Sequence, residues 1–483
     1  MTTIHRPEAG QSLLIGGTAR AGGAGTFPVE DPATGEVIAH VADGDTADAT
    51  AAVDAAHDAL NGWRSTPART RSETLTCAYE LMIRDRDRLT ELVMAENGKS
   101  RTDAHGEITY AAEFFRWYAE EAVRAGGDYG AAPSGGARTL VTHRAVGVAA
   151  LITPWNFPAA MATRKIAPAL AAGCAVVLKP AAETPLTALA VAELLSAAGV
   201  PDGVVNVVPT TDASAVVSTW LHDARVRKVS FTGSTGVGRV LLRQAAERIV
   251  NSSMELGGNA PFIVTADADL DAAVQGAMIA KFRNGGQACT AANRFYVHSD
   301  VIDEFTARFG AETAALTVGA ANNGAQIGPL ISGRARAGVE ALVEDAVRAG
   351  ARVSHRADVA ETAGYFYPPT VLSNVRFDDP IVASEIFGPV APIVEWSDET
   401  EVLAWANASE MGLAAYVYAG DVQHALRIAE SLEAGMVGIN RGLVSDPSAP
   451  FGGVKQSGLG REGGRYGLDE FQETQYFSLD WPA

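Results

Sequence analysis

Val148-Ala-Ala-Leu-Ile-Thr-Pro-Trp-Asn-Phe-Pro158 joins an all-apolar, β-prone run to the first residue of a helix, and it opens a repeating pattern. Further β-prone runs lie at Ala175–Lys179, Val204–Val208 and Lys228–Phe231. They alternate with helical segments at Pro158–Ala172, Pro185–Ala198, Asp212–Leu221 and Gly236–Ala246. Strand–helix alternation of this kind predicts a parallel, doubly wound α/β sheet. In such sheets ligands bind where loops leave the carboxyl ends of strands, so the residues just after each run are the first candidates for function.

Downstream, a second alternating block begins at Pro261–Val264. It continues through a helix at Leu270–Phe282, a Gly-rich loop, a strand at Arg294–His298, and helices at Val301–Leu316 and Ser332–Ala349. Upstream, the first 125 residues read mainly as helices. Val53, Ala56, Leu60 and Trp63 recur at helical spacing, as do Ile108, Ala111, Phe115 and Tyr118. One longer helical segment between them stops at Asn97-Gly98, a good C-cap pair. Gly126–Ala137 breaks the helical pattern, and Thr139–His143 is extended. Glu473–Leu479 reads as a lone terminal strand, which needs a partner within the chain or on another subunit.

The 483 residues are 47% hydrophobic, enough for two or three domains with large cores. Thirty-eight basic against 57 acidic residues give a net charge of −19, which argues against nucleic acid and anionic membranes as partners. Three widely spaced cysteines, Cys77, Cys174 and Cys289, exclude a disulfide scaffold and suit a reducing compartment. The opening MTTIHRPEAG lacks a signal peptide's apolar stretch, and the apolar run Ile166–Leu178 is too short to span a bilayer. A cytoplasmic protein is expected. No H-E-x-x-H, C-x-x-C or His/Cys cluster suggests a metal. Gly458-Leu-Gly460-Arg-Glu-Gly463 fits G-x-G-x-x-G but follows a turn-like stretch, not a buried strand. Asn97-Gly-Lys-Ser100 resembles the end of a P-loop but sits at a helix end, with Val93 where the first glycine belongs. Neither is read as a nucleotide site.

Three residues carry candidate chemistry. Cys289 lies in Asn284-Gly-Gly-Gln-Ala-Cys-Thr290, whose adjacent glycines let a loop present a thiol and backbone N–H groups. The alternative is a buried inert thiol, as for Cys174 and Cys77. Glu255, between Met254 and Leu256, is either a partly desolvated general base or a surface glutamate. Asn156 offers an uncharged amide to an oxyanion, or merely caps the next helix.

Together these residues resemble the aldehyde dehydrogenase superfamily over almost the whole chain. The resemblance rests on Pro154-Trp-Asn-Phe-Pro158, Phe231-Thr-Gly-Ser-Thr-Gly236, Glu255-Leu-Gly-Gly258, Gly286-Gln-Ala-Cys289, Glu385-Ile-Phe-Gly-Pro389 and Pro450-Phe-Gly-Gly-Val-Lys455, in family order. It implies two doubly wound α/β domains: a dinucleotide-binding domain from 1–124 and 145–255, and a catalytic domain from 256–446. A small β element from 125–144 and 468–483 would bridge them and make a homodimer or homotetramer. The resemblance also implies NAD(P)-dependent oxidation of an aldehyde to an acid. Cys289 would be the nucleophile, Asn156 and the Cys289 N–H the oxyanion donors, and Glu255 the base that activates water.

For the cofactor, the resemblance places Gly233 and Ser234 at the pyrophosphate and Glu385 at the nicotinamide ribose with Phe387 beside it. Trp155 and Leu256 would line the channel, and Lys179 would reach the adenosine ribose. Where NAD-preferring relatives often carry a glutamate, Ala182 stands here, with Glu183 next to it. NADP is therefore expected over NAD.

Within the superfamily the chain is most similar to succinate-semialdehyde dehydrogenases, whose substrate carries a distal carboxylate. Arg164, Arg283 and Ser445 match that group's carboxylate-binding positions, and guanidinium groups suit a carboxylate. Two departures stand out. Ala291 replaces a second cysteine two residues after the nucleophile, so no disulfide switch is expected in this loop. Arg441 precedes the substrate loop where a smaller or acidic residue is common, an extra cation that bears on substrate length. Glutarate semialdehyde or another small aldehyde is the alternative substrate, and a catalytically silent binding or structural relative is the alternative of another class.

Overall fold

The computed structural model describes residues 11–360 and 363–481. The N-terminal decapeptide, on which the expectation of no signal peptide rests, lies outside the described residues. Five parallel strands form the centre of an eight-stranded sheet, in the spatial order Val205–Val207, Ala175–Lys179, Val148–Ile152, Val226–Thr232, Asn251–Glu255. The chain winds outward from Val148–Ile152 through two strands, then returns to pair on its other side. That reversal opens a crevice between the loops leaving Ile152 and Thr232. Ile152 pairs with both Lys179 and Phe231, and Thr232 with Glu255, so the candidate loops leave from neighbouring strand ends. Val148–Ile152 and Ala175–Lys179 are buried at every position, which is why their sequences are apolar runs and not alternations.

A second, seven-stranded sheet has six parallel strands: Thr370–Ser373, Val390–Trp396, Ala292–His298, Ala260–Val264, Ala414–Tyr418 and Met436–Ile439. Both sheets are doubly wound, as expected. The C-terminal strand Gln472–Asp480 is not alone: it pairs antiparallel along its full length with Ala137–Ala145, which pairs in turn with Asp128–Ala131.

Two expectations need correction. The first helix begins only at Thr46; before it lie the strands Leu13–Ile15, Thr18–Arg20, Thr26–Asp31 and Glu36–Ala42. Thr26–Asp31 alternates exposed and buried residues, and Gly35 turns the chain into Glu36–Ala42. This two-residue period is too short-lived to stand out against the helical stretch that follows. The single helix expected before Asn97 is two, Ala68–Arg84 and Arg86–Asn97, because the chain turns at Asp85, whose carboxylate pairs with Arg84 and Arg88. Among the described residues no helix is long and apolar enough to cross a membrane.

Candidate active site

The crevice at the sheet reversal deepens into a cavity of about 260 Å³. Trp155, Asn156, Arg164, Gly233, Ser234, Leu256, Arg283, Cys289, Glu385, Phe387 and Ser445 all line it, though they come from eight separate stretches of chain. Glu255, Lys179 and Ala182 do not. Lys179 and Ala182, with the exposed Glu183, border a second cavity of about 560 Å³. The two cavities share Pro154, Trp155, Thr232 and Gly233 and so form one groove.

The loop carrying Cys289 is built from backbone conformations that ordinary residues avoid. After the helix Leu270–Phe282 ends, Asn284 (φ 53°), Gly285 (φ 60°) and Gly286 (φ 77°) turn left-handed in succession. At Gly286 a Cβ would also lie 2.3 Å from the carbonyl oxygen of Gly388, so only glycine fits. The amide of Asn284 donates to the carbonyls of Asn156 (2.8 Å) and Gln287 (3.1 Å). Asn156 Nδ2 donates to the same Gln287 carbonyl at 3.0 Å. Its second amide hydrogen and the Cys289 backbone N–H have no acceptor among the described residues. Two free donors therefore stand beside the thiol, as an oxyanion site requires. Asn156 is not a helix cap: Phe157 precedes the helix Pro158–Ala172, and no side chain caps it.

Cys289 is half-buried, and burial pushes its thiol up to about 12. The Arg164 and Arg283 cations oppose that rise; the Glu385 and Glu255 carboxylates add to it. Glu255, the last residue of its strand, is 3% exposed. Burial raises its pKa well above the usual carboxylate range, and Glu462 raises it further against Lys165, Arg164 and Arg461. Its Oε2 is buried without a hydrogen-bond partner. The carboxylate thus stands behind the cavity wall with no bond to hold it there. Gly258 brings the two loops together: a Cβ there would meet the Cys289 carbonyl oxygen at 2.2 Å.

Also lining the cavity, Arg164, 2% exposed, lies over the Phe451 ring at 4.0 Å. Its Nη2 donates to Tyr110 Oη at 2.6 Å, its Nη1 is 3.6 Å from Glu462 Oε2, and its Nε has no partner. Arg283 lies over Phe157 at 5.1 Å. Arg441 is exposed, donates to the Leu443 carbonyl and is absent from the lining, so its extra charge does not enter the cavity.

Several supporting residues went unread in the sequence. Lys99, buried in the rejected Asn97-Gly-Lys-Ser100, donates to Glu107 (2.6 Å) and to the Asn156 carbonyl (2.7 Å). Lys165 donates to Glu462 at 2.5 Å and to Ser230 at 2.9 Å. An uncapped charged residue inside an otherwise apolar helix was the available signal for Lys165. Nothing local marked Lys99.

The Aldehyde dehydrogenase family model matches residues 19–477. The chain belongs to the aldehyde dehydrogenase family. It is 50% identical to a succinate-semialdehyde dehydrogenase of Paenarthrobacter nicotinovorans, over 92% of this chain and 99% of that one. It is 49% identical to a glutarate-semialdehyde dehydrogenase of Pseudomonas putida, over 94% of each. The structure of an NADP-dependent enzyme of Escherichia coli superposes with a TM-score of 0.96 at 46% identity, covering 98% of each chain.

The residues of this aldehyde dehydrogenase fit a dinucleotide in its groove. Ser234 caps the helix Thr235–Ala246, and the Thr235 and Gly236 amides have no acceptor among the described residues, leaving a positive helix end for phosphate. Val237 and Val240, 49% and 47% exposed, give an apolar wall beside the larger cavity. Glu385 accepts from the Gly258 N–H at 3.1 Å, and burial raises its pKa to about 7 against that bond and the Lys281 charge. Its second oxygen is 2.9 Å from where a Gly257 Cβ would sit, so glycine leaves the carboxylate room to meet a hydroxyl. The Trp155 and Phe387 rings meet edge-on, 5.5 Å apart, at the junction of the two cavities.

Proposed function

We propose that this aldehyde dehydrogenase oxidises succinate semialdehyde to succinate, with NADP favoured over NAD. The observation that carries the reading is one mostly apolar cavity lined by a thiol, a free amide donor and two guanidinium groups. A four-carbon chain with a carboxylate opposite its aldehyde suits that lining. The relative from Paenarthrobacter supports the substrate; glutarate semialdehyde, one carbon longer, is the second reading, supported by the relative from Pseudomonas.

In this reading Arg164, Arg283 and Ser445 hold the distal carboxylate and thereby fix the aldehyde carbon beside Cys289. The thiol passes its proton to a solvent water as its sulfur bonds to that carbon. The two arginines help by opposing the burial that disfavours thiolate. Asn156 Nδ2 and the Cys289 N–H take the negative oxygen. A dinucleotide held by Ser234 and Glu385 would supply the hydride acceptor needed for oxidation to the thioester level. Glu255 then swings from behind the wall and accepts a proton from the attacking water, its raised pKa making it a stronger base than an exposed carboxylate. At the cofactor's other end, Lys179 and the neutral Ala182 leave a 2′-phosphate without a carboxylate at the decisive position, although Glu183 borders the same cavity. The NADP-dependent Escherichia coli structure supports that preference.

Residues 1–124 and 145–255 would bind the dinucleotide, 256–446 carry the nucleophile, and 125–144 with 468–483 join subunits as a dimer or tetramer in the cytoplasm. Tyr129, Tyr476 and Trp481 stand exposed on or next to that small sheet, consistent with a buried role in an oligomer. The test of the proposed activity is a steady-state panel of succinate semialdehyde, glutarate semialdehyde and butyraldehyde against NADP and NAD. Equal turnover of butyraldehyde and succinate semialdehyde would overturn it.

A further inference from the structure

The buried arginine in the cavity lining is not held by charge alone. Arg164 is nearly fully buried, yet its nearest carboxylate, Glu462, stays 3.6 Å from Nη1, outside hydrogen-bonding distance, while Glu462 Oε2 itself has no hydrogen-bond partner. The two groups form a buried ion pair that stops just short of a hydrogen bond. The short bond Arg164 makes instead is to Tyr110 Oη, at 2.6 Å. Tyr110 comes from the helix Arg101–Ala122, an element that supplies no other residue to the cavity lining. Its ring meets Phe114 edge-on at 5.0 Å, which fixes the direction of the hydroxyl.

A phenol that accepts from a guanidinium still has its own hydrogen, and that hydrogen has no acceptor among the described residues. Tyr110 lines the cavity together with Arg164, Arg283 and Ser445, the residues proposed to hold the carboxylate. We infer that Tyr110 is a specificity-determining residue, whose hydroxyl holds Arg164 off Glu462 and donates its own hydrogen to the distal carboxylate of the substrate. This rests on the proposed carboxylate-bearing substrate. Without the hydroxyl, the Arg164 guanidinium is free to close the gap to Glu462, so two contacts to the substrate weaken together.

Tyr110→Phe removes one oxygen and keeps the ring that packs on Phe114. The ratio of kcat/KM for succinate semialdehyde over butyraldehyde is expected to fall roughly ten- to hundredfold, the range for losing a hydrogen bond to a charged group. Most of the fall should appear in KM, because the contact is remote from the reacting carbonyl. In an Arg164→Met background the same change should have a much smaller effect, since the two residues act as a unit. A residue that only supports its helix would lower both substrates together and act additively with Arg164→Met; either result overturns the inference. If the wild-type enzyme itself does not prefer succinate semialdehyde to butyraldehyde, the proposed substrate fails and this inference falls with it. If the wild type does prefer it and Tyr110→Phe keeps the full ratio, only Tyr110 is misassigned.

Discussion

Replacing Arg164 with methionine separates what this side chain does for the substrate from what it does for the nucleophile. The guanidinium commits one donor to Tyr110, holds no hydrogen bond to Glu462 and leaves Nε free, so a carboxylate would find at least one buried donor waiting. A charge-assisted hydrogen bond of that kind contributes about 1.5–3 kcal/mol, a factor of roughly 10 to 150. Methionine keeps an unbranched stem against Phe451, and Glu462 retains Lys165. Arg164 also opposes the rise in the Cys289 pKa, so every aldehyde should react more slowly in the variant. The diagnostic quantity is therefore a ratio. Initial rates of nicotinamide reduction, measured with succinate semialdehyde and with butyraldehyde, should show kcat/KM falling for both. The preference for the charged substrate should fall by a further 10 to 150-fold or so. An unchanged ratio would mean that the arginine serves only the thiol, and the carboxylate clamp would be wrong.

Glu255→Gln should form the thioester and stall, giving a single-turnover burst of reduced cofactor with steady turnover lost; normal steady turnover would remove Glu255 from the mechanism. In the wild type the carboxylate must be ionised to take a proton from water. Because its pKa is raised, hydrolysis should slow as the pH drops through that raised value, at a pH where an ordinary glutamate would still be charged. Deacylation measured in single turnover tests this, and a rate that falls only where an ordinary glutamate titrates contradicts it. Lys99→Met leaves Glu107 buried with only the Ala159 and Ala160 N–H groups and the Asn156 carbonyl with only the Asn284 amide. A loss of roughly 3 kcal/mol is expected from the broken buried pair, seen in denaturant unfolding. Ala182→Glu places a carboxylate near the adenosine ribose and should move the NADP-to-NAD ratio of kcat/KM at least about tenfold toward NAD, by like-charge repulsion of a 2′-phosphate.

Local patterns carried most of the fold. Val148–Ile152 and residues 175–178 are buried on both faces, which favours apolar residues at successive positions, so their sequence shows it. The helix Pro158–Ala172 ends where expected because Pro158 starts it and Gly173, in the left-handed region, stops it. The hairpin Thr26–Asp31 with Glu36–Ala42 was not legible, since six alternating residues do not outweigh a helical neighbourhood. Cys289, Glu255 and Asn156 were singled out from loop context, and the six-motif resemblance joined them.

The strand order that reverses beside Val148–Ile152 was decided only in three dimensions. Sequence periodicity reports which face of an element is buried, but not which element lies next to it. The same holds for the forces on the site. Glu255 is absent from the cavity lining, Lys99 holds the Asn156 carbonyl from 57 residues away, and Arg164 meets Tyr110 and Glu462 across separations of 54 and 298 residues. A pKa or a hydrogen bond depends on distance and burial. Those exist only once the chain has brought remote residues within a few ångströms of one another.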